Sequence, residues 1–145
     1  MLHHKLATSE DKIEDIRDFV FDALQETPHA EMADKSRLTP FLYSFMLDGI
    51  NKVMFLMMDD ETVVGIILGV VTENVLYPEI ASEVFWFVKP EYRGKAAIEF
   101  FELYDNWAKL SPYSTVSYFS TGKDLSAVYE RFGYKHVEVN MLRKN

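Results

Sequence analysis

The sequence has no cysteine, which excludes a disulfide framework, thiolate metal sites and cysteine nucleophiles. It also lacks a long hydrophobic run. The longest one, residues 63–71, is interrupted by Gly65 and Gly69 and is too short to span a bilayer. No segment near the first residue has the basic-then-apolar pattern of a signal peptide. We therefore expect a cytoplasmic protein with no membrane partner.

Basic residues are scarce as well. The chain has 15 lysines and arginines against 23 acidic residues, which gives a net charge of −8. Because nucleic-acid phosphates need a basic face, this charge argues against a nucleic-acid partner. With six glycines and five prolines in 145 residues, there is no linker, repeat or low-complexity tract. Since 48% of the residues are hydrophobic, residues 1–145 are predicted to form a single packed domain.

Apolar spacing and turn residues predict a mixed chain of strands and helices. Thr8 and Ser9 would cap the first helix, Pro40 would take the first position of the second helix, and Gly49 would end it. The predicted strands cover residues 3–7, 53–58, 62–72, 83–88, 115–119 and 135–142. The predicted helices cover residues 10–25, 40–49, 96–110 and 125–132.

The segment 84–97 runs from an apolar strand through a proline-marked turn into a helix. Small residues occupy the helix start, namely Gly94, Ala96 and Ala97. The first N–H groups of a helix have no intrahelical partner and the helix dipole is positive there, so an anion is favoured. Arg93 and Lys95 add positive charge. This segment therefore predicts a place to hold a pyrophosphate.

Three segments, in this order along the chain, resemble the GNAT superfamily of N-acetyltransferases. Residues 63–69 (VVGIILG) resemble the family's third strand, and residues 88–95 (VKPEYRGK) resemble its strand-to-helix segment that binds the coenzyme A pyrophosphate. Residues 128–134 (VYERFGY) resemble its tyrosine-bearing last helix and glycine–aromatic exit. The resemblance covers residues 53–145 and is closest to short single-domain forms found in bacteriophages and bacteria.

The resemblance implies an α+β GNAT fold, with a mixed, mostly antiparallel sheet whose splayed strands 4 and 5 are flanked by helices. It implies acetyl-coenzyme A as co-substrate and transfer of its acetyl group to a primary amine by direct attack in a ternary complex. Strand 4 would offer backbone donors at Phe87 and Val88. The residues implied to contact the pyrophosphate are Arg93, Gly94, Lys95, Ala96 and Ala97.

Two residues are the candidates for proton transfer. Tyr129 matches the family tyrosine that protonates the leaving thiolate, and its alternative is a tyrosine that only packs in the helix. Glu83 heads an apolar strand, on the predicted same face as Phe85 and Phe87, where burial would raise its pKa and suit it to act as a base. Its alternative is a carboxylate in solvent, because the resemblance does not fix the position of the base.

The pyrophosphate segment departs from the family pattern, Arg/Gln-x-x-Gly-x-Gly/Ala. Counted back from Trp107 and Ala108, the segment is one residue shorter than this pattern. With a one-residue gap Ala97 takes the last position, and without a gap Ile98 does. Alanine tolerates a positive φ less well than glycine, which would weaken coenzyme A binding. The alternative function is therefore a non-catalytic GNAT-like module that acts through protein contacts.

The acceptor is expected to be a small-molecule or peptide amine, and both a monomer and a homodimer stay open. The acidic first helix is interpreted as a solvated face or as a region that steers a cationic acceptor. No metal site is expected. His3 and His4 would lie on opposite faces of a strand, and the pair His29 and Glu31 lacks further ligands.

Overall fold

The computed structural model describes residues 1–117, 119–120, 123–138 and 140–145. The strands are β1 (Leu2–Leu6), β2 (Lys52–Asp59), β3 (Thr62–Thr72), β4 (Ile80–Val88), β5 (Tyr113–Thr115), β6 (Phe119–Ser120) and β7 (Lys123–Asp124). The α-helices are α1 (Ile13–Leu24), α2 (Lys35–Asp48), α3 (Lys95–Ala108) and α4 (Ser126–Arg131). Short 3-10 helices cover Ala30–Met32 and Pro90–Tyr92.

One five-stranded sheet has the order β1-β2-β3-β4-β5. The first four strands are antiparallel to their neighbours and β5 is parallel to β4, which confirms the predicted mixed, mostly antiparallel sheet. β6 and β7 pair separately in an antiparallel hairpin.

The strands β4 and β5 part after a short common stretch. β5 pairs only with the first three residues of β4, Ile80 to Ser82, although β4 continues to Val88. In the described ranges, the rest of that edge of β4 has no partner strand. The predicted splay between strands 4 and 5 is therefore confirmed, and it leaves an open edge beside the segment that leads into α3.

Helices cover both faces of the sheet, and each face has its own hydrophobic core. The side chains of α1 and α2, such as Ile16 and Phe45, pack with Leu56 of β2 on one face. On the other face Phe100 and Phe101 of α3 belong to a second cluster that also includes Tyr129 of α4. Burial on both faces explains why β2 and β3 are nearly continuous apolar runs.

Gly69 of β3 is required by the close approach of α3. A Cβ atom at this position would lie 2.6 Å from Cζ3 of Trp107, closer than non-bonded atoms approach. The glycine therefore lets α3 pack directly on β3, which in turn fixes where the start of α3 meets the end of β4.

The helix starts differ from the prediction. α1 begins at Ile13, because Thr8 forms a turn with Asp11: the Thr8 N–H donates to Asp11 Oδ2 at 2.8 Å. α2 begins at Lys35, because the Asp34 side chain accepts from the Ser36 N–H at 2.9 Å. Pro40 thus lies inside α2 and not at its first position. The Asp34 cap satisfies a free N–H, which a proline start does not.

The end of the chain also differs. The predicted strand at residues 135–142 was wrong: residues 135–138 and 140–142 form no strand, and Met141 is 95% exposed. Within the described ranges, no strand pairs with this segment, and a strand without a partner is not stable. The fifth strand lies at Tyr113–Thr115, because this is the stretch in register with the start of β4. Within these two predicted strands, Tyr118 and Val139 lie outside the described residues.

In the described part of the chain, no helix has the length and apolar character needed to cross a membrane.

Candidate active site

The open edge of β4 exposes the backbone of Val88 but not that of Phe87. The Lys89 N–H donates to the Val64 carbonyl at 2.9 Å, which continues the ladder in which Phe87 pairs with Ile66. Because N–H and C=O groups point to alternate edges along a strand, those of Phe87 face β3 and those of Val88 face the opening. Of the two predicted donors, only Val88 is directed into the gap. The Phe87 side chain packs in the core beneath α1.

The start of α3 has the properties of an anion site. Gly94 is the N-cap residue, with φ 106° and ψ −139°, a conformation that glycine adopts without strain. No side chain caps this helix, so its first N–H groups, those of Lys95, Ala96 and Ala97, have no intrahelical acceptor. A Cβ atom on Gly94 would meet nothing within 4 Å, so the space beside this residue at the start of the helix is open.

Alanine at positions 96 and 97 does not conflict with this geometry. Both residues lie in the first turn of α3, and neither is among the described residues with a positive φ. The positive φ falls on Gly94 instead. The Ala97 methyl group packs in the core, so this residue presents its backbone N–H to the opening and not its side chain.

Arg93 and Lys95 differ in their surroundings. The Arg93 Nε donates to the Val88 carbonyl at 2.8 Å, and its guanidinium lies 5.4 Å from the centre of the Phe87 ring. Arg93 is thus held against the end of β4 with one of its five N–H donors used by that bond. The Lys95 side chain is 91% exposed, with its Nζ 3.8 Å from Glu99 Oε1.

Glu83 lies on the opposite face from the one predicted. Leu68 pairs with Phe85 whereas Gly69 pairs with Glu83, so Val84 is an extra, unpaired residue in β4. Such a β-bulge reverses the alternation of side chains. Glu83 therefore faces α3 and α4 and does not share a face with Phe85 and Phe87. Gly69, which lies opposite the bulge, was the feature of the sequence that could have predicted it, because a glycine inside a strand often marks a β-bulge.

The Glu83 carboxyl group is buried and poorly satisfied. The residue is 6% exposed, and neither carboxyl oxygen makes a hydrogen bond of ordinary geometry within the described ranges. Burial raises the pKa of Glu83 to about 8, against the opposing influence of nearby Ser117. Near neutral pH this carboxyl group is therefore mostly protonated, and the carboxylate that can accept a proton forms as the pH approaches 8.

Tyr129 lies on the same side of the sheet as Glu83. It is 3% exposed, and its hydroxyl has no hydrogen-bond partner in the described part of the chain. Its ring lies 6.0 Å from that of Trp86 and 5.4 Å from that of Phe101. Burial raises the pKa of Tyr129, and the charge of Glu83 raises it further. Both predicted proton-transfer residues are thus buried on the same side of the sheet, near enough for the charge of Glu83 to act on Tyr129.

Two more tyrosines, not predicted from the sequence, lie near this site: Tyr104 is buried and Tyr134 is partly buried. The Tyr104 hydroxyl donates to the Thr115 carbonyl at 2.7 Å. The Tyr134 hydroxyl donates to Asp105 Oδ1 at 3.1 Å, and burial raises the pKa of Tyr134 to about 12. Tyr134 belongs to the glycine–aromatic exit of the last helix, and this motif is the feature of the sequence that could have identified it.

An acidic groove runs along α1 towards the end of β4. Its volume is about 610 Å³, and its apolar lining includes Phe19 and Phe87. Lys89 is the basic residue in its lining. The carboxylates that line it are Asp15, Asp18, Asp22, Glu26, Glu61 and Glu91. The groove therefore has a negative potential that attracts cations.

Among the described residues, no group of three or more His, Cys, Asp and Glu side chains is arranged to hold a metal ion. His4 packs its ring 5.1 Å from that of Phe100, and burial lowers its pKa.

No protein-family model and no curated protein matches the sequence. Solved structures do match the fold. A possible acetyltransferase from Clostridium difficile 630 aligns over 100% of this chain and 97% of its own, with 18% identity and a TM-score of 0.74. A predicted acetyltransferase from Clostridium acetobutylicum, solved with acetyl-CoA, aligns over 100% and 96%, with 13% identity and a TM-score of 0.69. Glucosamine-6-phosphate N-acetyltransferase from Arabidopsis thaliana aligns over 99% and 98%, with 12% identity and a TM-score of 0.71.

These alignments cover nearly the whole chain, and therefore the five-stranded sheet together with its helices. The resemblance is confirmed at the level of architecture: the chain has the GNAT fold of acetyltransferases.

Proposed function

We propose that this protein is an N-acetyltransferase that uses acetyl-coenzyme A and transfers the acetyl group to a primary amine by direct attack in a ternary complex. The observation that carries this proposal is the burial of the Glu83 carboxyl and the Tyr129 hydroxyl on the same side of the sheet, with Glu83 directly after the residues of β4 that pair with β5. Structures of the same fold include an acetyltransferase solved with acetyl-CoA and an N-acetyltransferase that acts on an amino sugar phosphate.

Coenzyme A fits the chain's free backbone donors. The Val88 N–H would donate to the pantetheine arm along the open edge, and the first N–H groups of α3 would donate to the pyrophosphate. Arg93 and Lys95 add charge attraction, and the pyrophosphate would approach through the open space at Gly94. Phe87 would contribute packing beneath Arg93 and no backbone donor. When bound, the thioester supplies the activated acetyl group.

The chain's own residues would move the protons. A lysine-like amine has a pKa near ~10.4, so a base must remove its proton before it can attack. Glu83, with a pKa of about 8, accepts that proton near its own pKa, where general-base catalysis is efficient. Tyr129 donates its hydroxyl proton to the leaving thiolate. Backbone N–H groups on the open edge, such as that of Val88, stabilise the charge that develops on the thioester oxygen.

The acceptor is proposed to be a small-molecule or peptide amine. An amine arrives as a cation, and the acidic groove along α1 attracts cations toward the end of β4. The net charge of the chain, −8, makes binding to nucleic-acid phosphates unfavourable. We propose that residues 1–145 act as one domain in the cytoplasm, with both the monomer and the homodimer open.

Replacing Gly94 with glutamate should weaken acetyl-CoA binding, because it places a negative charge at the free N–H groups that would hold the pyrophosphate. The matched control is Gly94→Gln, since both side chains suffer the same strain at φ 106° and differ only in charge. Isothermal titration calorimetry should give an affinity roughly 100-fold lower for the glutamate variant than for the glutamine variant. Equal acetyl-CoA affinities in the two variants would show that the pyrophosphate does not bind at the start of α3.

A further inference from the structure

The exit of α4 is tied directly to Tyr129 by backbone hydrogen bonds. Gly133 has φ 91°, the Gly133 N–H donates to the Glu130 carbonyl at 3.0 Å, and the Tyr134 N–H donates to the Tyr129 carbonyl at 3.2 Å. This pair of bonds is the Schellman motif, which needs glycine at the left-handed position. Tyr134 is therefore held at a fixed distance from the backbone of Tyr129.

The Tyr134 side chain connects this exit to two other elements. Its hydroxyl donates to Asp105 Oδ1 of α3 at 3.1 Å and accepts from the Ser114 Oγ of β5 at 3.2 Å. Asp105 is 3% exposed, and its other oxygen, Oδ2, lies 2.9 Å from the Lys109 Nζ. Both oxygens of this buried carboxylate are thus satisfied, which makes it a rigid acceptor for Tyr134.

Such ties matter because α4 has little stability of its own. It has only six residues, and an isolated helix of this length is not stable in water. Among the described residues, no hydrogen bond to the Tyr129 hydroxyl holds that end of the side chain. The position of the hydroxyl is set by ring packing, including Tyr134 at 6.2 Å, and by the backbone of α4.

We propose that Tyr134 is a positioning residue for Tyr129: through Asp105 and Ser114 it anchors α4 to α3 and β5 and so holds the Tyr129 hydroxyl at the reacting thiolate. This inference rests on the proposed function. Tyr134 acts only through Tyr129, so its hydroxyl should affect the chemical step and not the binding of acetyl-CoA. Small displacements of a catalytic group lower turnover strongly, by up to about 10²-fold for about 1 Å.

The test is a double-mutant cycle on kcat with Tyr129→Phe and Tyr134→Phe. Tyr134→Phe alone should lower kcat about tenfold and leave the acetyl-CoA Kd unchanged. In the Tyr129→Phe background the same change should lower kcat less than twofold, because there is no hydroxyl left to position. An equal loss in both backgrounds, or no loss in the wild type, would overturn the positioning role.

Variants of Asp105 provide a second test of the same proposal. Asp105→Asn keeps an oxygen that can accept from the Tyr134 hydroxyl and should retain most of kcat, whereas Asp105→Leu should resemble Tyr134→Phe. Equal kcat in the asparagine and leucine variants would contradict the proposed role of Asp105 in anchoring Tyr134.

If Tyr129→Phe itself turns over at the wild-type rate, the proposed role of Tyr129 as proton donor is wrong. If Tyr129→Phe is slow and the effect of Tyr134→Phe is independent of it, only the present inference fails.

Discussion

Replacing Tyr129 with phenylalanine is expected to lower turnover by roughly 10²–10⁴-fold, because it removes the proton donor to the leaving thiolate. The affinity for acetyl-CoA should stay near that of the wild type, since the ring and its packing against Trp86 and Phe101 are kept. Steady-state kinetics and calorimetry on the two proteins measure these quantities. Equal turnover in the variant and the wild type would assign Tyr129 a packing role only.

Thermal unfolding separates this catalytic effect from damage to the fold. The Tyr129 hydroxyl is buried and without a partner in the described part of the chain, so its removal should leave stability unchanged or raise it. Tyr104→Phe is the matched control. It removes a hydroxyl that donates to the Thr115 carbonyl at 2.7 Å, and the loss of a buried hydrogen bond destabilises by about 1–3 kcal/mol. The two variants should therefore shift stability differently.

Replacing Glu83 with glutamine should change the pH dependence of the rate. The wild-type rate should rise with pH up to about 8, as the Glu83 carboxylate forms. Glutamine keeps the shape of the side chain but cannot accept a proton, so the loss of rate relative to the wild type should be largest near neutral pH. It should recover partly at alkaline pH, where the acceptor amine loses its proton without help. Parallel pH–rate profiles for the variant and the wild type would exclude Glu83 as the base.

The same variant should change the pH dependence of stability, which needs no assay of activity. The pKa of Glu83 rises from an ordinary value of 4.5 to about 8 on folding. The folded protein thus holds this proton more tightly than the unfolded chain does. The contribution of Glu83 to the free energy of unfolding should fall as pH rises from 4.5 to about 8 and then level off. With about 1.4 kcal/mol per pKa unit, the loss is on the order of 4–5 kcal/mol.

Glu83→Gln cannot ionise, so this decline should be absent from its unfolding curve. The difference in the free energy of unfolding between the variant and the wild type, measured by denaturant titration from pH 4 to 9, isolates the contribution of Glu83. A difference that stays constant across this range would contradict the burial of a titrating carboxyl group at this position.

The sequence predicted the bounds of an element best where turn residues and apolar runs agree. β3 was predicted as residues 62–72 and is observed as Thr62–Thr72, because the acidic turn before it marks its start and both of its faces are buried. Gly94 was placed at the start of α3 because glycine and small residues follow a proline-ended strand. Both features depend on local backbone conformation, which neighbouring residues determine.

Features that depend on pairing between distant segments could not be predicted. The face of Glu83 depends on a bulge at Val84, which exists because of the register between β3 and β4. The contact between Tyr134 and Asp105 joins residues 29 positions apart. Periodicity specifies which residues belong to one element, but it does not specify which elements meet. For the same reason the alternating pattern predicted a strand at residues 135–142, where the described residues form none.

The most direct test of the account is the acetylation reaction itself. The wild-type protein is incubated with acetyl-CoA and a panel of small-molecule and peptide amines, while release of the coenzyme A thiol is followed and the amines are analysed by mass spectrometry. We expect thiol release that depends on the amine, with one N-acetylated amine formed for each thiol, and loss of both signals in Gly94→Glu. Saturable acetyl-CoA binding without amine-dependent thiol release would contradict the account and favour a non-catalytic module that acts through protein contacts.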